Sequence, residues 1–227
     1  MTKFICIAGL PCTGKTTLGI NLAKNLNCLS LDLEYLRSVF LESDIKNNVL
    51  KFTRNESIKP NESLRDYFLR CVIYDRVLDI NEYVEWYKFI MHGVDELINA
   101  ILIDFDTLEY SNFIRKYIKV INYHPVSKPS KIILNHALLP TTRVWNRSFK
   151  ILLTCNDDKI VSRFINREDI KTDDVSLISD IIRHIKMYKI LNNGAKSDIF
   201  YDTTDKFLSV KELKSFTKYR RIHETRS

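Results

Sequence analysis

The sequence has little glycine or proline, with five of each among 227 residues. It also has no apolar run near the roughly 18 residues that span a bilayer. Its first residues do not show a charged region and an apolar stretch before a small-residue cleavage site, so we expect no secretory leader. We therefore expect a cytoplasmic protein with no membrane partner.

Cysteines are few, odd in number and widely separated. None forms the C-x-x-C spacing of a zinc ribbon or a redox pair, so neither a disulfide framework nor a zinc site is predicted. The five are Cys6, Cys12, Cys28, Cys71 and Cys155.

Net charge and chain length indicate the kind of ligand and the number of domains. The net charge is +7, which suits an anionic ligand. Part of the excess positive charge lies in a basic tail, residues 219–227. We expect this tail to be solvated, and the alternative is that it contacts nucleic acid or a partner. With 45% apolar residues the chain can bury one substantial core, and we predict a single domain over residues 1–227.

The strongest local signal is an apolar strand that runs into the pattern G-x-x-x-x-G-K-T. Residues 9–16, here named the phosphate loop, would point backbone N–H groups at phosphate oxygens beside the start of a helix. The predicted triphosphate-binding residues are Gly9, Leu10, Pro11, Cys12, Thr13, Gly14, Lys15, Thr16 and Thr17. Lys15 would reach the β and γ phosphates and Thr16 a Mg²⁺ ion, so ATP and Mg²⁺ are the expected cofactors.

Strand and helix patterns alternate along most of the chain. Short apolar runs at 4–9, 28–31, 131–139, 149–154 and 197–202 predict five buried strands with helices between them. The fold class is therefore α/β, a three-layer phosphate-loop NTPase fold with a five-stranded parallel sheet. Residues 61–123 have helical periodicity throughout and are predicted to be a helical insertion that covers the acceptor site, with its third helix capped by Asp106 and Glu109.

The acid that commonly completes such a site is not on the usual strand. In hydrolysing NTPases an apolar strand after the loop ends in Asp and holds the metal's water shell, but here that strand ends in Asn135. Asp104 follows an apolar run as well, yet that run continues a helical stripe, so a solvent-facing helix residue is favoured. Asp32 and Glu34, after the second strand, can supply the carboxylates instead, although a polar helix start would look similar.

This arrangement resembles the small-molecule and nucleotide kinases with a phosphate loop. Shikimate kinase has Asp-x-Asp at this place, adenylylsulfate kinase has Asp-Gly-Asp followed by Arg, and adenylate kinase has an Asp-x-x-Arg that aligns with Glu34 and Arg37. The resemblance implies that Asp32 orients Mg²⁺ and its water, and that Glu34 engages the acceptor.

Two later segments extend the resemblance. Arg163 and Arg167 share one helix face, as do the paired arginines that begin the lid of adenylate and gluconate kinases and neutralise charge on the transferring group. Residues 135–143 are similar to an acceptor segment of gluconate kinase, which implies that His136 and Arg143 face the acceptor. Exposed basic residues and a surface loop are the alternatives.

We therefore expect an ATP-dependent kinase that phosphorylates a hydroxyl or phosphate of a small-molecule or nucleotide-like acceptor. Lys15, Asp32, Glu34, Arg163 and Arg167 are the predicted catalytic residues, and Thr16 and Asp32 the predicted metal ligands. Three alternatives stay open: a polynucleotide 5′-hydroxyl kinase that takes a nucleic-acid end, a nucleoside monophosphate kinase, and a nucleotide-binding regulatory protein without transfer activity.

Overall fold

A computed structural model of the chain describes residues 3–33, 95, 98–168 and 175–213. Its sheet contains six strands, β1 Lys3–Gly9, β2 Leu29–Asp32, β3 Ile121–Tyr123, β4 Lys131–Asn135, β5 Phe149–Thr154 and β6 Ile199–Asp202. The strand order is β3-β2-β4-β1-β5-β6. The phosphate loop follows the central strand β1. It therefore lies at the carboxyl ends of the parallel strands, where open parallel sheets bind ligands.

The five predicted strands are all present and pair in parallel. The helical prediction for the end of the 61–123 block is wrong, because Ile121–Tyr123 forms a sixth strand that pairs antiparallel with β2. Three residues are too few to show an alternating apolar and polar pattern in the sequence. This strand forms through its pairing with β2 at the edge of the sheet. The sheet is therefore a five-stranded parallel core with one antiparallel edge strand.

The described helices pack on both faces of this sheet. They are α1 Lys15–Leu26, α2 at residues 98–107, α3 Tyr110–Tyr117, α4 Arg143–Asn146, α5 Asp157–Glu168, α6 Val175–Leu191 and α7 at residues 210–213, with a short 3₁₀ turn at Leu139–Thr141. In the part of the chain that the structure describes, none is long and apolar enough to cross a membrane.

Two apolar clusters lie on opposite faces of the sheet and confirm the three-layer prediction. The smaller cluster packs Leu18 and Leu22 of α1 against β1, β4 and β5. The larger cluster joins the other face of the sheet to α2, α3, α5 and α6. Because side chains alternate along a strand, Leu29 and Leu31 of β2 enter the larger cluster while Ser30 and Asp32 face α1.

One helix of the structure begins with a capping box, whereas the cap predicted at Asp106 is absent. Ser209 and Glu212 form a capping box, with the Ser209 N–H donating to the Glu212 carboxylate at 2.9 Å and the Glu212 N–H donating to Ser209 Oγ at 3.2 Å. Asp106 does not cap a helix, because it lies inside α2. Asp104 is also helical, as predicted, and accepts hydrogen bonds from Lys116 and Tyr117.

Two domain predictions lie largely outside the described residues. The structure describes the predicted insertion only at residue 95 and from residue 98 onward, and it does not describe the tail at 219–227. The insertion's acceptor-covering role and the single-domain assignment therefore stay predictions.

A close approach between α1 and β4 generates a stability prediction. A Cβ added at Gly19 would lie 2.5 Å from both the Oδ1 and Nδ2 atoms of Asn135. We expect Gly19→Ala to lower the free energy of unfolding by about 1–3 kcal/mol through overpacking. In an Asn135→Ala background the clash is gone, and the same substitution should stabilise by about 1 kcal/mol because alanine is the better helix former.

Urea unfolding of the four proteins measures both effects. Equal changes at Gly19 in the two backgrounds would contradict this packing.

Candidate active site

The phosphate loop turns β1 into α1 through backbone that most side chains avoid. Gly9, Cys12 and Gly14 have φ values of 149°, 58° and 84°. A Cβ at Gly9 would lie 2.2 Å from the carbonyl oxygen of Leu153, so glycine is required there by contact as well as by conformation. Cys12 adopts the left-handed region without being glycine, which is the uncommon case.

Side chains of the loop fold back onto its own carbonyl groups. The Thr13 hydroxyl donates to the Leu10 carbonyl at 2.8 Å, and the Lys15 ammonium donates to the same oxygen at 2.9 Å. Lys15 is only 8% exposed. A neutral carbonyl is a weaker partner for an ammonium group than an anionic phosphate, so Lys15 is held at the loop and can exchange that contact for a phosphate oxygen.

A hydroxyl and a carboxylate meet at the start of α1. Thr16 Oγ1 donates to Asp32 Oδ2 at 3.2 Å, which joins the last residue of the phosphate loop to the last residue of β2. Asn122 of β3 donates to the same carboxylate oxygen at 3.4 Å. Asp32 is 5% exposed. The structure therefore brings the two predicted metal ligands, Thr16 and Asp32, into direct contact.

These two residues fit a magnesium site of a particular kind. Among the described residues, no group of three or more His, Cys, Asp or Glu side chains could hold a metal ion. Mg²⁺ commonly retains several waters and is held by one or two protein oxygens together with substrate phosphates. One hydroxyl and one carboxylate beside a phosphate loop match that donor set.

The neighbouring strand end carries an amide in place of a carboxylate. Asn135 is the register partner of Asp32 in the parallel β2–β4 pair, and it is 1% exposed. Its Nδ2 donates to Ser30 Oγ at 3.2 Å and to the Leu31 carbonyl at 3.3 Å. Of these two register partners, Asp32 is charged and Asn135 is neutral.

Arg163 joins three segments around the phosphate loop. Its Nη2 donates to the carbonyl groups of Thr203 and Thr204 at 2.7 and 3.2 Å. Its Nη1 contacts Cys155 Sγ at 3.3 Å and the Cys12 carbonyl at 3.4 Å. This guanidinium thus ties the phosphate loop to the ends of β5 and β6.

An aromatic ring covers the Arg163 guanidinium. Phe207 lies over it, with 4.3 Å between the guanidinium carbon and the ring centroid. A Cβ at Gly14 would lie 2.7 Å from the same ring, so the phenylalanine also packs against the start of α1. Arg167, one turn beyond Arg163, is exposed and lies over the Phe164 ring at 5.0 Å.

The segment after β6 has its own hydrogen-bonded turn. The Thr204 N–H and hydroxyl donate to Asp202 Oδ1 at 2.8 and 2.6 Å. These bonds, the hydroxyl first, lower the pKa of the Asp202 carboxyl below its ordinary value. The carboxylate therefore stays ionised and stabilises the turn that carries the two carbonyl groups to which Arg163 donates.

The predicted acceptor residues differ in burial, and two of them lie outside the described residues. His136 follows β4 directly and is buried, with its Nδ1 accepting from the Leu138 N–H at 3.1 Å. Arg143 is exposed at the start of α4, where its backbone N–H donates to the Asp95 carboxylate at 2.9 Å. Glu34 and Arg37 lie outside the described residues.

Two contacts of this site were missed from the sequence. The periodicity of residues 61–123 predicts a helix at Asn122, and the strand that brings Asn122 to Asp32 is too short to detect by periodicity. Phe207 follows an apolar strand and a turn, and only the three-dimensional packing on Gly14 and Arg163 distinguishes it from an ordinary surface phenylalanine.

Comparison with known proteins agrees with the phosphate-loop architecture. A family model described as AAA domain matches residues 5–180. The crystal structure of TT1252 from Thermus thermophilus is similar in fold, with a TM-score of 0.55 and 14% identity over 98% of this chain and 97% of that one. No curated protein matches the sequence.

More distant overlap is found with two enzymes that are named as kinases. Shikimate kinase from Bacteroides thetaiotaomicron gives a TM-score of 0.42 at 13% identity, covering 99% of both chains. Dephospho-CoA kinase from Campylobacter jejuni gives 0.42 at 12% identity, covering 100% of both chains. The fold is assigned from the sheet order and the family match.

The contacts of Arg163 predict a structural cost for its replacement. Arg163→Lys keeps the charge but cannot donate in the plane to carbonyl groups of separate segments, so we expect a loss of about 1–3 kcal/mol in the free energy of unfolding. Arg167→Lys is the matched control, with an expected change below about 0.5 kcal/mol because that side chain is exposed. Chemical denaturation compares them, and equal losses would contradict the bracing role of Arg163.

Proposed function

The chain belongs to the AAA domain family, and on that premise we propose that it is an ATP-dependent phosphotransferase. It transfers the γ-phosphate of ATP to a hydroxyl or phosphate of a small-molecule or nucleotide-like acceptor. The observation that carries this proposal is the contact between Thr16 and Asp32 at the mouth of the phosphate loop. This contact supports a position for the Asp32 carboxylate beside the γ-phosphate of bound ATP, where phosphoryl transfer needs a carboxylate.

The phosphate loop binds the triphosphate in this proposal. Its backbone N–H groups and the positive end of α1 favour anionic oxygens. Lys15 leaves the Leu10 carbonyl and pairs with the β and γ phosphates. Mg²⁺, held by Thr16 and Asp32, neutralises phosphate charge when it is bound.

The transfer step needs positioning more than covalent chemistry by the protein. A lone pair on the acceptor oxygen forms a bond to the γ-phosphorus, the bond from that phosphorus to the bridging β–γ oxygen breaks, and ADP leaves. The acceptor proton passes to a carboxylate. We assign the orientation of the acceptor oxygen to Asp32 or Glu34. Glu34 follows β2 by two residues and takes the acceptor-facing role by resemblance to the phosphate-loop kinases.

The two arginines of α5 divide the remaining work. Arg163 supports the loop from the β5–β6 side through its hydrogen bonds. Arg167, which is exposed one turn later, closes over the transferring group and stabilises charge on its equatorial oxygens.

The acceptor is bound on the β4 side of the site in this proposal. Arg143 is exposed there and is suited to an anionic acceptor group. His136, Arg37 and the insertion at 61–123 complete the acceptor side, and the protein acts as a single domain in the cytoplasm.

The direct test of this function follows labelled phosphate. The protein is incubated with Mg²⁺ and γ-labelled ATP against separate pools of nucleosides, nucleoside monophosphates, sugar acids, small alcohols and 5′-hydroxyl oligonucleotides. Label is expected in one pool, which identifies the acceptor class. ATP binding without label in any pool would favour a regulatory nucleotide-binding protein instead.

Lys15→Ala tests the assignment of the phosphate loop. The substitution removes the ammonium group, so we expect loss of measurable ATP binding by calorimetry and loss of turnover. Lys24→Ala, at the other end of α1, is the control and should bind as the wild type does. Wild-type affinity in Lys15→Ala would remove the basis of the proposal.

Asp32→Asn separates binding from transfer. The amide retains the shape of the side chain and loses its charge, so we expect ATP binding to persist while kcat falls at least about 100-fold. A kcat within a few fold of the wild type would assign the carboxylate role to another residue.

A further inference from the structure

Asn122 is the extra residue of a β-bulge in the edge strand β3. Ser30 of β2 pairs with Tyr123, and the next residue, Leu31, pairs with Ile121. One step along β2 therefore spans two steps along β3, and the additional residue is Asn122. Bulges re-aim a side chain, and they are common at sheet edges and beside active sites. The bulge therefore determines which face of the sheet Asn122 occupies.

The strand changes face across this bulge. Residues two apart in a regular strand face the same side of the sheet. Ile121, however, packs against the larger apolar cluster, whereas Tyr123 packs against the smaller cluster on the α1 side. The Asn122 side chain is on the α1 side as well, because it contacts the Asp32 carboxylate. In regular pairing Asn122 would face away from Tyr123, and so away from the phosphate loop.

The same segment holds both the backbone and the side chain of Asp32. The Asp32 N–H donates to the carbonyl of Val120, which immediately precedes β3, at 2.9 Å. Asn122 Nδ2 donates to Asp32 Oδ2 at 3.4 Å, and Thr16 Oγ1 donates to the same oxygen at 3.2 Å. An ionised carboxylate only accepts, so the amide must present its NH₂ group to Asp32. Two donors on one oxygen therefore set the orientation of this buried carboxylate.

We propose that Asn122 is a positioning residue for phosphoryl transfer, placed by the β-bulge so that its amide orients the Asp32 carboxylate beside the phosphate loop. The strand β3 thereby does more than extend the sheet, since it fixes the residue at the end of β2. This inference rests on the proposed function, because it requires Asp32 to act in the transfer step.

An amide suits this role because it is uncharged. A lysine or arginine at the same position would also donate to Asp32, but its positive charge would compensate the carboxylate and repel a cation there. The amide orients the carboxylate and leaves its negative charge to act. Residues that hydrogen-bond a functional carboxylate in this way commonly change activity or metal affinity by about 10–100-fold when they are replaced.

The test separates catalysis from nucleotide binding in the labelled-phosphate assay, with the acceptor pool that takes up label. Asn122→Leu has a similar volume and lacks the donor, so we expect kcat to fall about 10–100-fold. KM for ATP should change less than about threefold, because the phosphate loop is unchanged. In an Asp32→Ala background, followed by single-turnover labelling, the same substitution should change the rate less than about twofold, since no carboxylate is left to orient.

Urea unfolding in EDTA measures the same contact without a cation. Asn122→Leu should lower the urea midpoint more in the wild-type background than in the Asp32→Ala background, because only the first contains the hydrogen bond. Equal changes in the two backgrounds would show that Asn122 and Asp32 do not interact.

Tyr123 provides a matched control on the same strand. Its ring packs against the smaller apolar cluster, and it is the register partner of Ser30. Tyr123→Leu weakens the packing of β3, so it should lower the urea midpoint while kcat stays within about twofold of the wild-type value. A purely structural role of β3 would instead lower kcat in Tyr123→Leu and Asn122→Leu alike.

A second variant keeps the proposal testable if Asn122→Leu does not fold. Asn122→Asp has the same shape and replaces the donor with a second carboxylate, so it should lower kcat by at least as much. Wild-type kcat in the folded variants, or the same loss of rate in the Asp32→Ala background, would overturn the proposal. Absence of labelled product from the wild-type protein would instead overturn the proposed function beneath it.

Discussion

The turn from β1 into α1 is the constraint on which the rest of the structure depends. It needs three residues at positive φ, and it sets the start of α1 against the ends of β2 and β4. Gly9 meets that need by lacking a side chain where Leu153 approaches, and Gly14 does so beneath Phe207. The helix that follows therefore begins at a fixed point, with its positive end beside the sheet.

The placement of charge follows from this turn. Because the last loop residue, Thr16, lies beside the end of β2, the carboxylate of Asp32 can reach it. The end of β4 also lies against α1, at Gly19, but carries the amide of Asn135. One charged and one neutral strand end distinguish this site from the hydrolysing NTPases, in which the later strand supplies the acid. That difference adds to the support that the contact between Thr16 and Asp32 gives to transfer to an acceptor.

Local patterns predicted the parts of this protein that are specified locally. The phosphate loop is a contiguous motif with conformational requirements at known positions, and the parallel strands are continuous apolar runs, so both could be identified. The edge strand β3 could not, since three residues carry no periodicity and its pairing partner is about 90 residues away along the chain. Asp106 does not cap a helix, because α2 begins before this residue and includes it.

The site was predictable in its residue types but not in its contacts. Arg163 was identified from a four-residue spacing, yet its acceptors come from segments that meet only after folding. The same holds for Gly19 against Asn135. The most direct test of the account is a crystal structure with a non-hydrolysable ATP analogue and Mg²⁺. We expect Lys15 to contact the β and γ phosphates and the cation to lie beside Thr16 and Asp32; an analogue bound away from the phosphate loop, with Lys15 still on the Leu10 carbonyl, would contradict the proposed site.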